Sequence, residues 1–183
     1  MKKFLKTLTI VMCALVLVAG SVAGTFAYLT AKTESITNTF TAGNIEITLG
    51  ETTGSDYKMV PGTTIAKDPK VTVLANSEDC WLFVKVEKSE NYDTFMQYTI
   101  ADGWEELETG VYYREVTLRE EDQAFSVLEG DQVTAKTEPT KADYDATRAE
   151  GGKKPTLTFT AYAVQKVGFD TATAAWTQAE TLD

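Results

Sequence analysis

The stretch CWLFVKVE, residues 80–87, places Cys80, Leu82, Val84 and Val86 on one side of an extended chain, with Lys85 and Glu87 on the other. Alternation with a period of two is the signature of a strand with one buried face. The same rhythm recurs along the chain. NIEITL sets Ile45, Ile47 and Leu49 against Glu46 and Thr48, and KVTVLA aligns Val71 with Val73. VYYREVTL (Val111 to Leu118), AFSVL (Ala124 to Leu128) and TLTFTAYAV (Thr156 to Val164) are further candidates, rich in β-branched and aromatic residues. FMQYTI (Phe95 to Ile100) is another. Turn residues fall between them: Pro61-Gly62, Asp68-Pro69, Asn76-Ser77, Asp102-Gly103, Gly110 and Gly130-Asp131. Many short strands punctuated at this spacing predict an all-β fold, an antiparallel sandwich.

Two short helices are expected on its surface. Thr140 can cap Lys141 to Ala149, with Asp143 completing a capping-box variant and Gly151-Gly152 ending the helix. Asp170 can cap TATAAWTQA, whose alanines favour helix. No internal repeat, low-complexity linker or second domain is visible.

Ahead of the first core strand the chain changes character. Lys2, Lys3 and Lys6 precede the apolar run LTIVMCALVLVA (Leu8 to Ala19), the pattern of an export signal. The uncharged stretch continues to Ala31, long enough in principle for the roughly 20 apolar residues of a membrane span. Gly20, Ser21, Gly24 and Thr25 dilute it, and small residues suit a peptidase site better than a lipid-facing helix. The best cut lies between Ala27 and Tyr28, making residues 1–27 a signal peptide. Cys13 is not a lipoprotein cysteine, because Met12 is too large for the position before it.

Cleavage would leave 183 − 27 = 156 residues, one ordinary domain. The removed part carries three lysines and no acid, so the formal net charge would move from −10 to −13. Such a charge repels nucleic acid and anionic membranes, leaving the uncleaved signal as the membrane contact. One of the two cysteines departs with the signal, so Cys80 has no partner for an internal disulfide. The chain contains no histidine. That excludes Ser-His-Asp and Cys-His machinery, HExxH zinc sites and an imidazole base.

The remaining candidate sites read as structure. Cys80, beside Trp81, lies on the apolar face of its strand and lacks a neighbouring base. Glu105 to Glu108 and Glu120 to Asp122 show no DxDxDG spacing and read as solvated loops rather than a calcium site. Trp104 and the Tyr112-Tyr113 pair could stack on sugar, but alternating aromatics more often pack between sheets. No catalytic, cofactor-binding or metal-binding residue is assigned, and the protein is expected not to be an enzyme. The closing QAETLD carries no apolar span, stop-transfer cluster or LPxTG-type motif, so no C-terminal anchor is expected.

What is unusual is GTFAYLTAKTESITNTFTAGNIEITL (Gly24 to Leu49). Ile36 and Phe40 share one parity with Asn38 between them, while Thr37, Thr39 and Thr41 take the other. Gly43 breaks the run before the body of the domain, expected over 44–183. Residues 28–43 are therefore a spare strand, able to pair with an edge of their own sheet or of another copy's. Repeated head to tail, the second contact is heterologous and yields a filament.

TFAYLTAKTESITNTFTAGNIEITL closely resembles the processed N-terminus of the TasA/camelysin family, secreted biofilm-matrix proteins of Gram-positive bacteria. VPGTTIAKDPKVTV (Val60 to Val73), CWLFVKVE and TLTFTAYAVQK (Thr156 to Lys166) resemble the body of clostridial-type members, so the likeness covers most of the processed chain. Its most specific part is Thr25 to Leu49. The resemblance implies a jelly-roll-like sandwich, export with cleavage by a SipW-type signal peptidase, and matrix fibres assembled by donor-strand exchange. By position, Tyr28 to Phe40 would be the donor, with Ile36 and Phe40 filling a neighbour's groove. Partners would be other copies of the chain, the peptidase and other matrix proteins. The family also carries a metalloendopeptidase label through camelysin, which a chain without histidine supports poorly. A camelysin-like surface protease and a monomeric surface adhesin or binding module of the same fold are the alternatives.

Overall fold

In a computed structural model of the chain, the described residues are 43–54 and 57–182. They belong to one compact unit, 42–183. Ten strands form three antiparallel sheets, accompanied by three short helices among the described residues. The strands are β1 (Ile47–Gly50), β2 (Thr64–Ala66), β3 (Lys70–Val73), β4 (Cys80–Lys88) and β5 (Met96–Gln97). They continue with β6 (Glu105–Glu108), β7 (Val111–Val116), β8 (Gln123–Ser126), β9 (Gln132–Ala135) and β10 (Leu157–Gln165). The helices are α1 (Tyr92–Phe95), α2 (Lys141–Arg148) and α3 (Ala172–Ala179). The protein is an all-β antiparallel sandwich.

Its central sheet runs β10-β4-β7-β6, with β4 and β10 paired along nine residues from Cys80↔Gln165 to Lys88↔Leu157. The facing layer joins two three-stranded sheets, β1-β3-β8 and β2-β9-β5. They meet because β2 leads into β3 and β8 into β9, and each half pairs antiparallel with the other. At the junction Val127 donates its N–H to the Pro69 carbonyl (3.0 Å), and Lys67 donates to Asp131 (2.8 Å). The ladder breaks there because Gly130 and Asp131 adopt left-handed φ of 63° and 51°, which turns the strand.

Between the layers lies the core that the alternation of CWLFVKVE predicts. Cys80, Leu82, Val84 and Val86 pack against Val71, Val73, Val127 and Trp104. Farther along the same space, Phe95, Met96, Leu128, Val133 and Tyr144 form a second cluster under the β2-β9-β5 sheet. Arg114 projects from β7 on the same face as Leu82, and its guanidinium lies 3.9 Å from the centre of the Phe125 ring. Burial pushes the Arg114 pKa down, and the stacked ring offsets part of that cost.

Three sequence expectations change. FMQYTI is not one strand: Phe95 closes α1, β5 is only Met96–Gln97, and Ile100 makes an isolated bridge with Leu128. Glu105 to Glu108 is the edge strand β6 rather than a loop. The C-terminal helix begins one residue later than expected, capped by Thr171, whose hydroxyl accepts from the Ala174 N–H (3.2 Å), and it is not merely a surface element. Its Ala172, Ala175, Trp176 and Ala179 cover the second face of the central sheet, against Trp81, Phe83, Tyr162 and Val164. By contrast α2 is capped as expected, with the reciprocal Thr140–Asp143 box in place.

Candidate strand-acceptor seam

Each sheet of an open sandwich ends in strands whose outer backbone groups need an explanation. The two edges of the central sheet differ. β6 carries Glu105, Glu106 and Glu108, and its pairing slips between Glu106 and Glu108. Charge and a bulge together discourage another strand from docking there. β10, the opposite edge, reads LTFTAYAVQ: nine residues without a charge, proline, glycine or register slip. Among the described residues no strand pairs with its outer side. At about 3.4 Å per residue this edge is about 30 Å long, and its own sequence carries none of the features that discourage a further strand.

β1, the outermost strand of the facing layer, approaches β10 on the same flank. The pairing Leu49↔Val71 sends both side chains to the same face, yet Val71 is fully buried and Leu49 is 39% exposed. On the opposite lip Phe159, Ala161 and Ala163 share the core face of Val86, Val84 and Leu82. Their β4 partners are buried, whereas these three are only half-buried. Core-facing apolar side chains therefore line a seam between two edge strands. Extending that flank with a further strand would remove them from water.

The end of the seam beyond β1 is closed by an ion pair. Lys67 Nζ meets both carboxylate oxygens of Glu51 at 2.7 Å and lies over the rings of Tyr57 and Phe159. The loop after β1 is pinned as well. Asp68 accepts from the Thr52 hydroxyl (2.6 Å), the Thr52 N–H (2.9 Å) and the Thr53 N–H (3.1 Å). These bonds, Thr52's foremost, hold the Asp68 carboxyl well below the ordinary carboxylate range.

The other residues singled out in the sequence are dispersed. Cys80 is fully buried, and burial, followed by the charge of Asp79, pushes its thiol up to about 11. Trp104 faces the inter-layer core and donates its Nε1–H to the Ser126 carbonyl (2.9 Å). Tyr113 lies on the opposite face of the central sheet against Trp81 and Phe83, so it forms no joint platform with Trp104. Asp122 accepts from the Ala75 N–H (2.8 Å), anchoring the turn after β3. No group of three or more Cys, Asp or Glu converges on a metal-sized point among the described residues. The cleavage pair Ala27 and Tyr28 and the donor residues Ile36, Asn38 and Phe40 lie outside the described residues.

The seam itself was missed in the sequence reading. Its trace was present in TLTFTAYAV, whose freedom from charge and proline leaves the strand able to pair on both sides. Comparisons with protein-family models, with curated proteins and with solved structures return no match to this chain.

Proposed function

We propose that the protein is a secreted structural subunit that polymerises into extracellular matrix fibres by donor-strand exchange. After a SipW-type peptidase cuts between Ala27 and Tyr28, the segment from Tyr28 to Phe40 of one copy adds as a strand along β10 in the seam of the next. Ile36 and Phe40 occupy the apolar seam, and the segment's backbone satisfies the outer groups of β10. The donor spans residues 28–40, long enough for the nine positions that β10 offers. Because donor and seam are different surfaces, the contact is heterologous and propagates as a head-to-tail polymer. The uncleaved signal peptide would hold the chain at the membrane and delay assembly until export is complete.

The observation that carries this reading is the contrast between the edges of one sheet: β6 carries three carboxylates and a bulge, whereas β10 has no charge, proline, glycine or register slip along its nine residues. A protein that needed to remain monomeric would be expected to guard both. The role is structural rather than catalytic: the chain has no histidine, and its buried Cys80 has a raised pKa that disfavours the thiolate.

Chain beginning at Tyr28 is expected to form filaments visible by electron microscopy, and deletion of residues 28–39 is expected to leave monomers. Filaments of equal length from the deleted form would remove the donor role. Phe40→Asp would place an unpaired charge in the seam at a cost of several kcal/mol and should slow assembly. An unchanged rate would overturn the assignment of Phe40 to the groove.

A further inference from the structure

Beyond the seam, beside the β2-β9-β5 sheet and α2, the fold forms an open cavity of about 820 Å³. Its walls are mostly apolar, supplied by Met59, Ile65, Met96, Val133 and Leu157, with tyrosine side chains from Tyr57, Tyr92 and Tyr144. This size and composition are those of a pocket for a small organic molecule. Two observations give the ligand a sign and an apolar body.

The first is charge. The described residues lining the cavity include Lys58, Lys67, Arg148 and Lys154 and not one acid, in a chain whose formal net charge is −10. Lys67 is neutralised by Glu51 at 2.7 Å, and Arg148 reaches Asp145 at 3.3 Å. Lys58 and Lys154 have no ion-pair partner among the described residues. Both are exposed, so the cavity carries two uncompensated cations among its lining residues. The second observation is apolar surface. Met59, Ile65 and Leu157 line the cavity and are only half-buried, so an apolar body seated against them would remove them from water.

We propose that this cavity is a binding site for an amphipathic organic anion, with its apolar body against Met59, Ile65 and Met96. Its acidic group is held by Lys58 and Lys154. The two methionines suit a body of variable shape, since their flexible thioether chains repack around different outlines. The site is separate from polymerisation and stands whether or not the fibre reading does.

The test is calorimetric titration of the purified full chain with decanoate, with decanol and decyltrimethylammonium as its neutral and cationic counterparts. Decanoate should bind at least tenfold more tightly than decanol, and the cation more weakly than either. Joint replacement Lys58→Gln with Lys154→Gln should weaken decanoate about tenfold and leave decanol unchanged. Met59→Trp, which fills the cavity, should abolish both. Equal affinity for decanoate and the cation, or a Lys58→Gln, Lys154→Gln variant that binds decanoate as the parent does, would overturn the assignment. Displacement of decanoate by a peptide of residues 28–43 would also overturn it, making the cavity an extension of the acceptor seam.

Discussion

At the scale of the residue, Asp68 shows how one side chain fixes a loop. Its three hydrogen bonds from Thr52 and Thr53 tie the chain leaving β1 to the chain entering β3. Because the folded pKa lies below the unfolded value of about 3.9, the carboxylate stabilises the fold above that pH. The contribution fades as pH falls through the depressed folded value. Asp68→Asn is therefore expected to be destabilised at neutral pH, with the gap to the parent narrowing below about pH 4. Denaturant melts across that range check it; a gap that stays constant would show that charge plays no part. Leu49 is the residue that tests the seam. It is exposed enough for Leu49→Asp to leave the fold intact, and the new charge should stop a strand from docking. Normal filaments from that variant would place the contact elsewhere.

At the scale of the element, α3 has the clearest energetic role. Trp81 and Phe83 leave β4 on the face opposite Leu82, and without the helix both would stand in water. Trp176 closes that face, 5.3 Å from both the Phe83 and Tyr162 rings, with its Nε1–H donated to Glu108 (2.9 Å). Trp176→Ala should cost about 3–5 kcal/mol of unfolding free energy, the range for emptying a buried aromatic site. A loss below 1 kcal/mol would mean that the helix is not docked in solution. α2 offers a milder comparison. Thr140→Ala removes the N-cap and should cost about 1 kcal/mol. At the β6–β7 turn, Gly110 has φ of 80° and a side chain there would meet the Val86 carbonyl at 2.8 Å, so this hairpin depends on glycine.

At the scale of the whole molecule, the proposed polymer joins copies that each carry a formal charge of −13 after removal of three lysines from a chain of −10. Mutual repulsion should slow the encounter of such copies, and salt shortens its reach to about 10 Å at 0.1 M. Assembly of the chain beginning at Tyr28 is expected to accelerate as sodium chloride rises from low to physiological strength, followed by light scattering. Mixing gives the sharper test of topology. A copy lacking residues 28–39 can only accept a strand, and a Leu49→Asp copy can only donate one. Together they should yield a heterodimer that grows no further; longer oligomers would point to a different mode of association.

The strands of the core were legible in the sequence because their information is local. Alternation in KVTVLA, CWLFVKVE and VYYREV reports which side chains must leave water, and the Thr140–Asp143 cap is written in four residues. β2 and β9 were not legible: TIA and QVTA are too short to show a period, and they exist because each pairs with the other across the chain. CWLFV read as one-sided because Lys85 and Glu87 dominate its polar parity, although Trp81 and Phe83 on that parity needed a cover. That cover is α3, supplied from the far end of the chain. The sequence by itself determined the all-β class, the α2 cap and most core faces, since periodicity and turn chemistry act between near neighbours. Only the tertiary structure decided which strands end the central sheet, which face the helix covers, and that Lys58 and Lys154 line one cavity. Those follow from which distant segments meet, and the energy of burial depends on that meeting rather than on order along the chain.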